Sequence, residues 1–328
     1  MKKCCFIIPY FGKFPNYFQL FLNSCKYNTD FNWLIFTDNS DYYEFPPNVK
    51  IVKTSFDSFK EYIQSFFDFK IVIPTPHKLC DYKPAYGYLF SSYLSEFKYW
   101  GYCDIDLLMG DLNQFLTDKL LETYDKIFCL GHMTLFRNLP EINEIFKHEY
   151  NGRMLYKESF STEKTTTFDE EWRDENNINQ MFIAEKKKVF TEDYSMNPAI
   201  AQTNFIRTKY VGIDKAKNNR GYQIEEPKNA LYTWDNGHIY RYYMTCNNTL
   251  KREEFIYMHF QWRKMKIDNR VFNLSQIKII PNKFLPLEYT EVTKDNFRKI
   301  KKRGLCFHRQ RLLWKKLHRK LNKILHNA

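Results

Sequence analysis

The sequence has little glycine and proline, ten and twelve among 328 residues, which excludes collagen-like and linker-like chains. No run of about eighteen apolar residues is present, so we predict no membrane-spanning helix. The scattered glycines form neither a GxGxxG sequence nor a P-loop, two common glycine-rich phosphate-binding motifs. With 44% hydrophobic and 18% aromatic residues, the chain is expected to be a soluble globular protein with one large core or two smaller ones.

The eight cysteines include no pair with C-x-x-C spacing, so a zinc site built from thiolates is not expected. Several of them lie in apolar runs, where a thiol acts as a small hydrophobic side chain. The first such run, residues 4–8, stops at Pro9 and is too short for the core of a secretory signal. These features predict reduced thiols and a cytoplasmic location.

The net positive charge is confined to the C-terminal tail. Residues 294–328 hold thirteen of the fifty Lys and Arg residues and one of the 38 acids, so 37 residues of each sign remain elsewhere. The formal net charge of +12 therefore belongs to the tail, and the body of the protein is neutral. Leu313, Leu317 and Leu321 recur there at helical spacing, which predicts a basic amphipathic helix. The residues that flank this stripe include Trp314, Lys315, Lys316, Arg319 and Lys320.

Short β-prone runs alternate with helical patterns as far as about residue 138, which is typical of an α/β fold around a mostly parallel sheet. The best-marked helix is predicted at 84–97, because Pro84 suits a first turn and Asp81 can cap it. Residues 150–176 have no clear period and predict a long functional loop or a small excursion from the core, and Asn236-Gly237 predicts a hairpin turn. The expected strands are 4–8, 33–36, 49–52, 71–73, 100–105, 126–130 and, late in the chain, 255–260.

The most informative stretch is 100–111, where a predicted strand ends in two acids separated by one residue, Asp104 and Asp106. At the carboxyl edge of an open α/β sheet, where ligands bind, these carboxylates would repel each other unless a hard cation lay between them. The spacing therefore indicates a divalent-metal site that neutralises a diphosphate, with a solvated turn or a helix cap as the alternative. His259, flanked by aromatic residues, is either a core residue or a nitrogen ligand to such a metal.

Basic side chains for a bound diphosphate are present upstream of this stretch. Lys78 and Lys83, with Asp81 between them, flank the predicted start of the helix. The two lysines either contact phosphate or belong to a solvated helix start. Arg263 and Lys264, late in the chain, are further candidates for phosphate contact.

Six short motifs are more specific together than any one of them alone. They are Pro9-Tyr10-Phe11-Gly12, Thr37-Asp38 and the segments 78–87, 100–106, 131–138 and 257–261. Read together, they resemble a family of bacterial glycosyltransferase-like proteins from capsule and surface-polysaccharide loci, long catalogued as a domain of unknown function. The resemblance covers roughly residues 3–265.

The resemblance implies a GT-A fold, which is a Rossmann-like fold of nucleotide-diphospho-sugar transferases, together with a UDP-sugar donor and a divalent cation, Mn²⁺ or Mg²⁺. It implies that Asp104 faces the ribose or the donor sugar and that Asp104, Asp106 and His259 surround the metal. The residues implied to hold the uridine are Pro9, Tyr10, Phe11, Thr37 and Asp38. Lys78, Asp81 and Lys83 are assigned to the same nucleotide-sugar site.

The implied reaction is attack of an acceptor hydroxyl on the anomeric carbon of the donor. An inverting enzyme needs a carboxylate base, for which we expect Glu170, with Asp169 next. A retaining enzyme needs no such base, and the sequence leaves the stereochemistry open. His132, Arg137 and Asn138 are expected on the acceptor side or, alternatively, at a strand end and helix cap.

We therefore expect a hexosyltransferase that moves galactose or galactofuranose from a UDP-sugar to a glycan or lipid-linked acceptor in capsule or surface-polysaccharide synthesis. Residues 1–265 are expected to form the GT-A domain, with donor binding in 1–135 and the acceptor side in 136–265. Residues 266–328 are expected to form an extension whose tail binds the anionic inner face of the cell membrane.

Three other functions stay open. A nucleic-acid-binding protein would use the basic tail, but it would also have a basic body, and no nucleic-acid partner is expected. A non-catalytic scaffold of a polysaccharide assembly complex would keep the fold without the chemistry. A metal-dependent phosphohydrolase would need a second cluster of His and Asp residues, which the sequence does not show.

Overall fold

The computed structural model describes residues 2–171, 176–214, 219–261, 263–301 and 306–326. The chain divides into two compact units that interleave along the sequence. Unit 1 comprises residues 1–105, 112–193 and 210–222, and unit 2 comprises residues 106–111, 194–209 and 223–328. The boundary expected at residue 265 stays a prediction.

Strands and short helices make up both units. The strands are β1 Lys2–Pro9, β2 Phe31–Thr37, β3 Val49–Lys53, β4 Phe97–Cys103, β5 Leu107–Met109, β6 Lys126–Leu130, β7 Met133–Arg137, β8 Val189–Phe190, β9 Thr208–Asp214, β10 Asn219–Ile224, β11 Ala230–Asp235, β12 His238–Met244, β13 Leu250–Phe255, β14 Tyr257–His259, β15 Lys266–Ile267, β16 Gln276–Ile280 and β17 Lys283–Pro286. The α-helices are α1 Phe18–Lys26, α2 Phe56–Gln64, α3 Tyr86–Leu89, α4 Leu112–Phe115, α5 Asp118–Thr123, α6 Pro140–Asn143, α7 Leu155–Phe160, α8 Ile178–Ala184, α9 Lys294–Ile300 and α10 His308–His326. Shorter 3₁₀ segments are Pro76–Ala85, Ser91–Tyr93, Ile145–Lys147 and Asn269–Asn273.

Seven strands of unit 1 form one sheet in the order β3-β2-β1-β4-β7-β6-β8. The first four of these strands run parallel to one another, whereas β7 is antiparallel to both of its neighbours. In β1 the five residues from Cys4 to Ile8 are all buried, as expected for a central strand that is covered on both faces. The predicted α/β fold with a mostly parallel central sheet is thus confirmed.

The core of unit 1 is rich in aromatic side chains that pack against this sheet. Trp100 of β4 stacks on Phe136 of β7 with 4.4 Å between ring centroids, and its Nε1–H donates to Asn143 Oδ1 at 2.6 Å. Gly87 lies against the indole, and a Cβ at this position would be 2.3 Å from the ring. Only glycine therefore fits beside Trp100 without a shift of the ring.

Two predictions for residues 71–97, a strand at 71–73 and a helix at 84–97, are wrong. Residues 71–73 form no strand, because the Val72 N–H donates to the Phe160 carbonyl at 2.7 Å and the Ile71 N–H donates to the side chain of Gln64 at 3.0 Å. These two bonds satisfy the backbone without a neighbouring strand. The continuous helix predicted at 84–97 does not form: Pro84 and Ala85 end the 3₁₀ segment Pro76–Ala85, and the four-residue helix α3 and a second 3₁₀ segment follow. The buried contacts of Lys78 and Asp81 fix the course of the chain before Pro84.

Unit 2 contains a six-stranded sheet in the order β13-β12-β11-β16-β17-β15. The predicted hairpin is confirmed, because β11 and β12 pair antiparallel around Asn236 and Gly237, with φ values of 49° and 90°. The strand predicted at 255–260 is divided at Ile256, so that β13 belongs to this sheet while β14 pairs with β5. Strands β9 and β10 form a separate two-stranded sheet.

Two further predictions concern irregular or terminal segments. The long loop predicted at 150–176 contains helix α7, and residues 172–175 lie outside the described residues. Near the C-terminus the structure has the nineteen-residue helix α10. None of the described helices combines the length and the apolar composition that a bilayer crossing requires.

Candidate donor and metal site

Asp106 and His259 of unit 2 are brought together by two neighbouring strands. Strand β5, which directly follows Asp106, pairs antiparallel with β14, and Leu107 lies opposite His259. The Phe260 N–H also donates to the Asp106 carbonyl at 3.0 Å. As a result, Asp106 Oδ1 lies 3.2 Å from His259 Nε2, although the two residues are 153 positions apart. The histidine side chain is 9% exposed and the carboxylate 23%.

The other ring nitrogen of His259 contacts an amide. Its Nδ1 lies 3.2 Å from Asn197 Oδ1, and the same oxygen also accepts from Gln261 Nε2. An amide oxygen only accepts, so Nδ1 carries a hydrogen, and when Nε2 is deprotonated its lone pair points towards Asp106. Deprotonated Nε2 and the Asp106 carboxylate are then two electron-pair donors 3.2 Å apart, an arrangement that suits a shared cation. A carboxylate with an imidazole is an appropriate ligand pair for Mn²⁺.

Asp104 belongs to unit 1 and follows the end of β4. Its Oδ1 lies 3.0 Å from Lys83 Nζ, which also lies 3.5 Å from Asp169 Oδ2 and donates to the Gly131 carbonyl at 2.6 Å. Burial by itself lowers the pKa of Lys83, but Asp104 and Asp169 outweigh it and hold that pKa well above its ordinary value. Lys83 is therefore a permanent positive charge between two acids at the end of β4.

The two predicted base candidates are neighbours in the same unit. Asp169 is buried, and its carbonyl accepts from the Tyr102 hydroxyl at 2.8 Å. Burial raises the pKa of Asp169 well above its ordinary value, and the charge on Glu170 raises it further, while Lys83 opposes the shift. Asp169 thus resists losing its proton more than an exposed carboxyl group does.

Glu170 is partly exposed and lies against Gly131. Its Oε2 accepts from the Gly131 N–H at 3.3 Å, and a Cβ on residue 131 would lie 2.5 Å from the same oxygen. The peptide groups of Gly131 therefore contact both Glu170 and Lys83, and the missing side chain makes this approach possible. His132, one of the predicted acceptor-side residues, follows directly, and its carbonyl accepts the Asp104 N–H at 3.0 Å.

Lys78 and Asp81 lie inside unit 1, with 2% and 0% of their side chains exposed, and pair with each other at 2.7 Å. Lys78 also donates to the carbonyls of Ser159 and Lys164, at 2.8 and 2.6 Å. Asp81 accepts the Thr166 N–H at 2.9 Å and does not cap a helix. This ion pair holds the segment that precedes Asp169 and Glu170, and its burial favours a structural role. Contact of these two residues with a nucleotide stays a prediction.

The residues predicted to hold uridine lie at the adjacent ends of β1 and β2 or just beyond them; they are Pro9, Tyr10, Phe11, Thr37 and Asp38. Asp38 is exposed, and its Oδ1 accepts the N–H of Gly12, whose φ is +95°, at 2.7 Å. Phe11 packs on Phe56 and Phe59, each at 5.2 Å between ring centroids. Asp38 and Gly12 therefore fix the chain between the two strand ends, while Phe11 belongs to the core.

Arg137 and Asn138, the other predicted acceptor-side residues, bind the protein's own backbone. Arg137 pairs with Asp125 at 3.2 Å and donates to the Tyr124 carbonyl at 3.0 Å. Asn138 donates to the carbonyls of Leu94 and Phe97, at 2.9 and 3.0 Å. These bonds tie the end of β7 to its surroundings, as in the alternative assignment to a strand end. Contact with an acceptor stays a prediction for both residues and for His132.

A second group of possible metal ligands, Cys80, Asp81 and Asp169, lies within unit 1. Its carboxylates already contact lysines, since Lys78 pairs with Asp81 and Lys83 lies 3.5 Å from Asp169. Burial also raises the pKa of the Cys80 thiol, which disfavours the thiolate that binds metals. These contacts argue against a metal at this second position.

Asn197 was not predicted as a site residue. It lies 62 positions before His259, and no repeated spacing in the sequence links the two residues. Strand pairing alone reveals its position, because the N–H of His259 donates to the Met196 carbonyl at 3.1 Å.

Comparison with known proteins finds a match over most of the chain. A family model described as "Family of unknown function (DUF6625)" matches residues 6–288. No curated protein sequence matches. Similar solved structures include the galactosyltransferase LgtC in complex with donor and acceptor sugar analogs, with a TM-score of 0.33, 10% identity, and coverage of 59% of this chain and 76% of that chain. An active-site mutant of LgtC has a TM-score of 0.32 and 10% identity, with coverage of 59% of this chain and 75% of that chain. At such scores the similarity carries no argument about fold or activity.

Proposed function

This chain belongs to the family of unknown function DUF6625, and we propose that it is a metal-dependent glycosyltransferase of GT-A type. The proposed donor is a UDP-hexose, with galactose or galactofuranose favoured, and the proposed acceptor is a glycan or lipid-linked oligosaccharide of a bacterial capsule or surface polysaccharide. The proposed setting is the cytoplasmic side of the cell membrane. The observation that carries the proposal is the pairing of Asp106 Oδ1 with His259 Nε2 at 3.2 Å.

We assign Asp104, Asp106 and His259 as ligands of Mn²⁺ or Mg²⁺. Three features support the assignment: the one-residue spacing of the acids, the approach of His259 to Asp106, and the hydrogen bond from Nδ1 to Asn197. A bound cation would supply positive charge to the diphosphate that leaves the donor. Asn197 orients the imidazole so that Nε2, and not Nδ1, faces the carboxylate.

The nucleotide is proposed to bind where β1 and β2 end, the edge of an open α/β sheet at which ligands commonly bind. Asp38 and Gly12 shape the chain there through their 2.7 Å hydrogen bond. Lys83 holds Asp104 in place and adds positive charge that favours an anionic donor. The buried pair of Lys78 and Asp81 positions the segment that leads to Asp169 and Glu170.

For an inverting reaction we propose Glu170 as the base that removes the proton of the acceptor hydroxyl. Its carboxylate is partly exposed, whereas Asp169 is buried and holds its proton more firmly. The hydrogen bond from the Gly131 N–H keeps the Glu170 carboxylate beside His132, where the acceptor is proposed to bind. A retaining reaction would not need this base.

The donor site is tested by titration calorimetry of UDP with and without Mn²⁺. The wild type and Asp57→Asn, a surface control on α2, are expected to bind UDP in a Mn²⁺-dependent way, and chelator should abolish binding. Asp106→Asn removes one charged ligand, so binding should weaken by about 10-fold or more. Well-folded wild-type protein that does not bind UDP, or an Asp106→Asn variant that binds it normally, would contradict the proposal.

The chemistry is tested by following UDP release from a panel of UDP-sugars and by determining the anomeric configuration of the product by NMR. An inverted product together with a loss of about 100-fold or more in Glu170→Gln supports Glu170 as the base. Asp169→Asn is the matched comparison, because it changes the neighbouring carboxylate in the same way. A retained product, or equal activity of Glu170→Gln and wild type, would exclude the assigned base. Absence of turnover with every donor would favour the scaffold alternative.

A further inference from the structure

Helix α10 exposes large apolar side chains within its first three turns. Phe307, just before the helix, is 58% exposed, and Leu313, Trp314 and Leu317 are 58%, 63% and 48% exposed. At about 100° per residue, Leu313, Trp314 and Leu317 fall within an arc of about 100° on the helix surface. Phe307, Gln310 and Arg311 adjoin these side chains on the same exposed face. Side chains at this level of exposure form an apolar strip that unit 2 leaves uncovered.

The sequence of the helix is rich in basic residues outside this strip. Residues 308–326 contain seven Lys and Arg residues and no Asp or Glu. The side chains of Lys315, Lys316 and Arg319 are exposed, whereas the side chain of Lys320 lies outside the described residues. In the sequence, Leu321 and residues 324–325 continue the apolar spacing. An apolar strip flanked on both sides by cations is the pattern of a helix that lies in a membrane interface.

The beginning of this helix is fastened to unit 2. His308 is 2% exposed, and its Nε2 lies 2.9 Å from the Ile200 carbonyl. Arg263, which is 3% exposed, holds the same loop by donating to the carbonyls of Gln202 and Thr203, at 2.7 and 3.1 Å. The apolar strip thus begins at a fixed point of unit 2, and a surface that binds the strip also binds this unit.

We propose that the face of α10 formed by Phe307, Leu313, Trp314 and Leu317 binds an anionic lipid bilayer, lying parallel to its surface. The apolar side chains enter the acyl boundary while the flanking lysines and arginines contact acidic headgroups. Each basic residue close to an anionic surface contributes about 5-fold to the binding constant, so several residues act together with the apolar strip. This proposal stands on the helix alone and does not depend on the glycosyltransferase chemistry.

Charge and composition decide between a bilayer and two other partners. A second copy of the chain would bring two helices with seven positive charges each and no acids into contact, which is unfavourable. A nucleic acid would neutralise the charges but would leave the apolar strip exposed, because phosphate contacts need no such strip. An anionic bilayer satisfies both the charges and the strip.

The test is sedimentation of the full-length protein with vesicles of phosphatidylcholine, with and without phosphatidylglycerol. We expect binding only to the vesicles that contain phosphatidylglycerol, and weaker binding as salt is added. The triple variant Lys315→Gln, Lys316→Gln, Arg319→Gln should bind about 100-fold more weakly, at about 5-fold per charge. The double variant Leu313→Gln, Leu317→Gln should bind at least about 10-fold more weakly at unchanged charge.

The matched control is the triple variant Lys26→Gln, Lys70→Gln, Lys119→Gln, which removes the same charge from exposed positions of unit 1 and should bind like the wild type. All variants should retain the wild-type thermal transition, since the changed side chains are exposed. Equal binding to uncharged vesicles, or an equal loss in the control, would overturn the proposal. The proposal would also be overturned if the wild type formed a dimer that dissociates in the leucine variant, or if duplex DNA competed fully with the vesicles. Failure of UDP binding by the same protein would leave this result unchanged.

Discussion

The Nδ1 atom of His259 lies 3.2 Å from Oδ1 of Asn197, on the side of the ring opposite Asp106. A histidine that carries its hydrogen on Nδ1 has its Nε2 lone pair available for a metal. The pair thus sets the tautomer that a ligand role requires. Because Met196, directly before Asn197, pairs with β14, the same backbone contacts that place His259 also place its amide partner.

Asn197→Ala should weaken Mn²⁺ binding by about 10- to 100-fold without unfolding the protein, because the imidazole loses the acceptor that orients it. The measurement is titration of free Mn²⁺ by electron paramagnetic resonance. Asn247→Ala, at an exposed position of unit 2, is the control and should leave the affinity unchanged. Normal Mn²⁺ affinity in Asn197→Ala would show that the amide does not orient a metal ligand.

Asp81→Asn should destabilise the protein by about 3–5 kcal/mol, because it leaves the buried Lys78 ammonium without its carboxylate. The measurement is urea unfolding at neutral pH. Asp57→Asn breaks an exposed pair with Lys60 and should cost less than about 1 kcal/mol. Normal stability of Asp81→Asn together with lost UDP binding would instead favour the nucleotide contact that the sequence predicts.

Gly87→Ala should destabilise unit 1 by about 1–3 kcal/mol or more, because the added Cβ would lie 2.3 Å from the indole of Trp100. Thermal unfolding measures the change, and near-ultraviolet circular dichroism reports the displaced indole. Gly152→Ala should also lose stability through backbone strain at φ +74°, but it should leave the indole signal unchanged, because nothing lies within 4 Å of an added Cβ. A Gly87→Ala spectrum identical to that of the wild type would mean that the indole does not have to move.

Lys126 should make the protein more stable at alkaline pH. It is fully buried in β6, donates to the Phe128 carbonyl and to Asn179, and forms no ion pair with a described carboxylate. Burial lowers its pKa to about 8. As the pH falls, Lys126 is protonated in the unfolded chain near pH 10.5 but in the folded protein only near about pH 8. Protonation between these values therefore favours unfolding, and the free-energy cost of burying the ammonium is fully present below about pH 8.

Urea unfolding of wild type and Lys126→Met at pH 7 and pH 9.5 measures this effect. Relative to the variant, the wild type should gain about 2 kcal/mol between the two pH values. A constant difference between the two proteins would mean that Lys126 keeps an ordinary pKa in the fold.

Several features follow directly from local sequence. The apolar run at 4–8 forms a buried strand because the whole run is hydrophobic and is covered on both faces. Asn236-Gly237 forms the hairpin turn because these residues tolerate positive φ. The 3₁₀ segment Pro76–Ala85 was missed, since its proline and capping signals also fit an α-helix, and tertiary contacts of Lys78 and Asp81 determine its course.

The sequence by itself determined the α/β class, the concentration of positive charge in the last residues and the one-residue spacing of Asp104 and Asp106, because each of these depends only on composition or on neighbours along the chain. The tertiary structure alone decided that His259 meets Asp106 and that Lys83 contacts both Asp104 and Asp169. It also decided that Lys78 and Asp81 form a buried ion pair. These contacts join residues far apart in the chain or depend on burial, and both are set by strand pairing and packing across the whole fold.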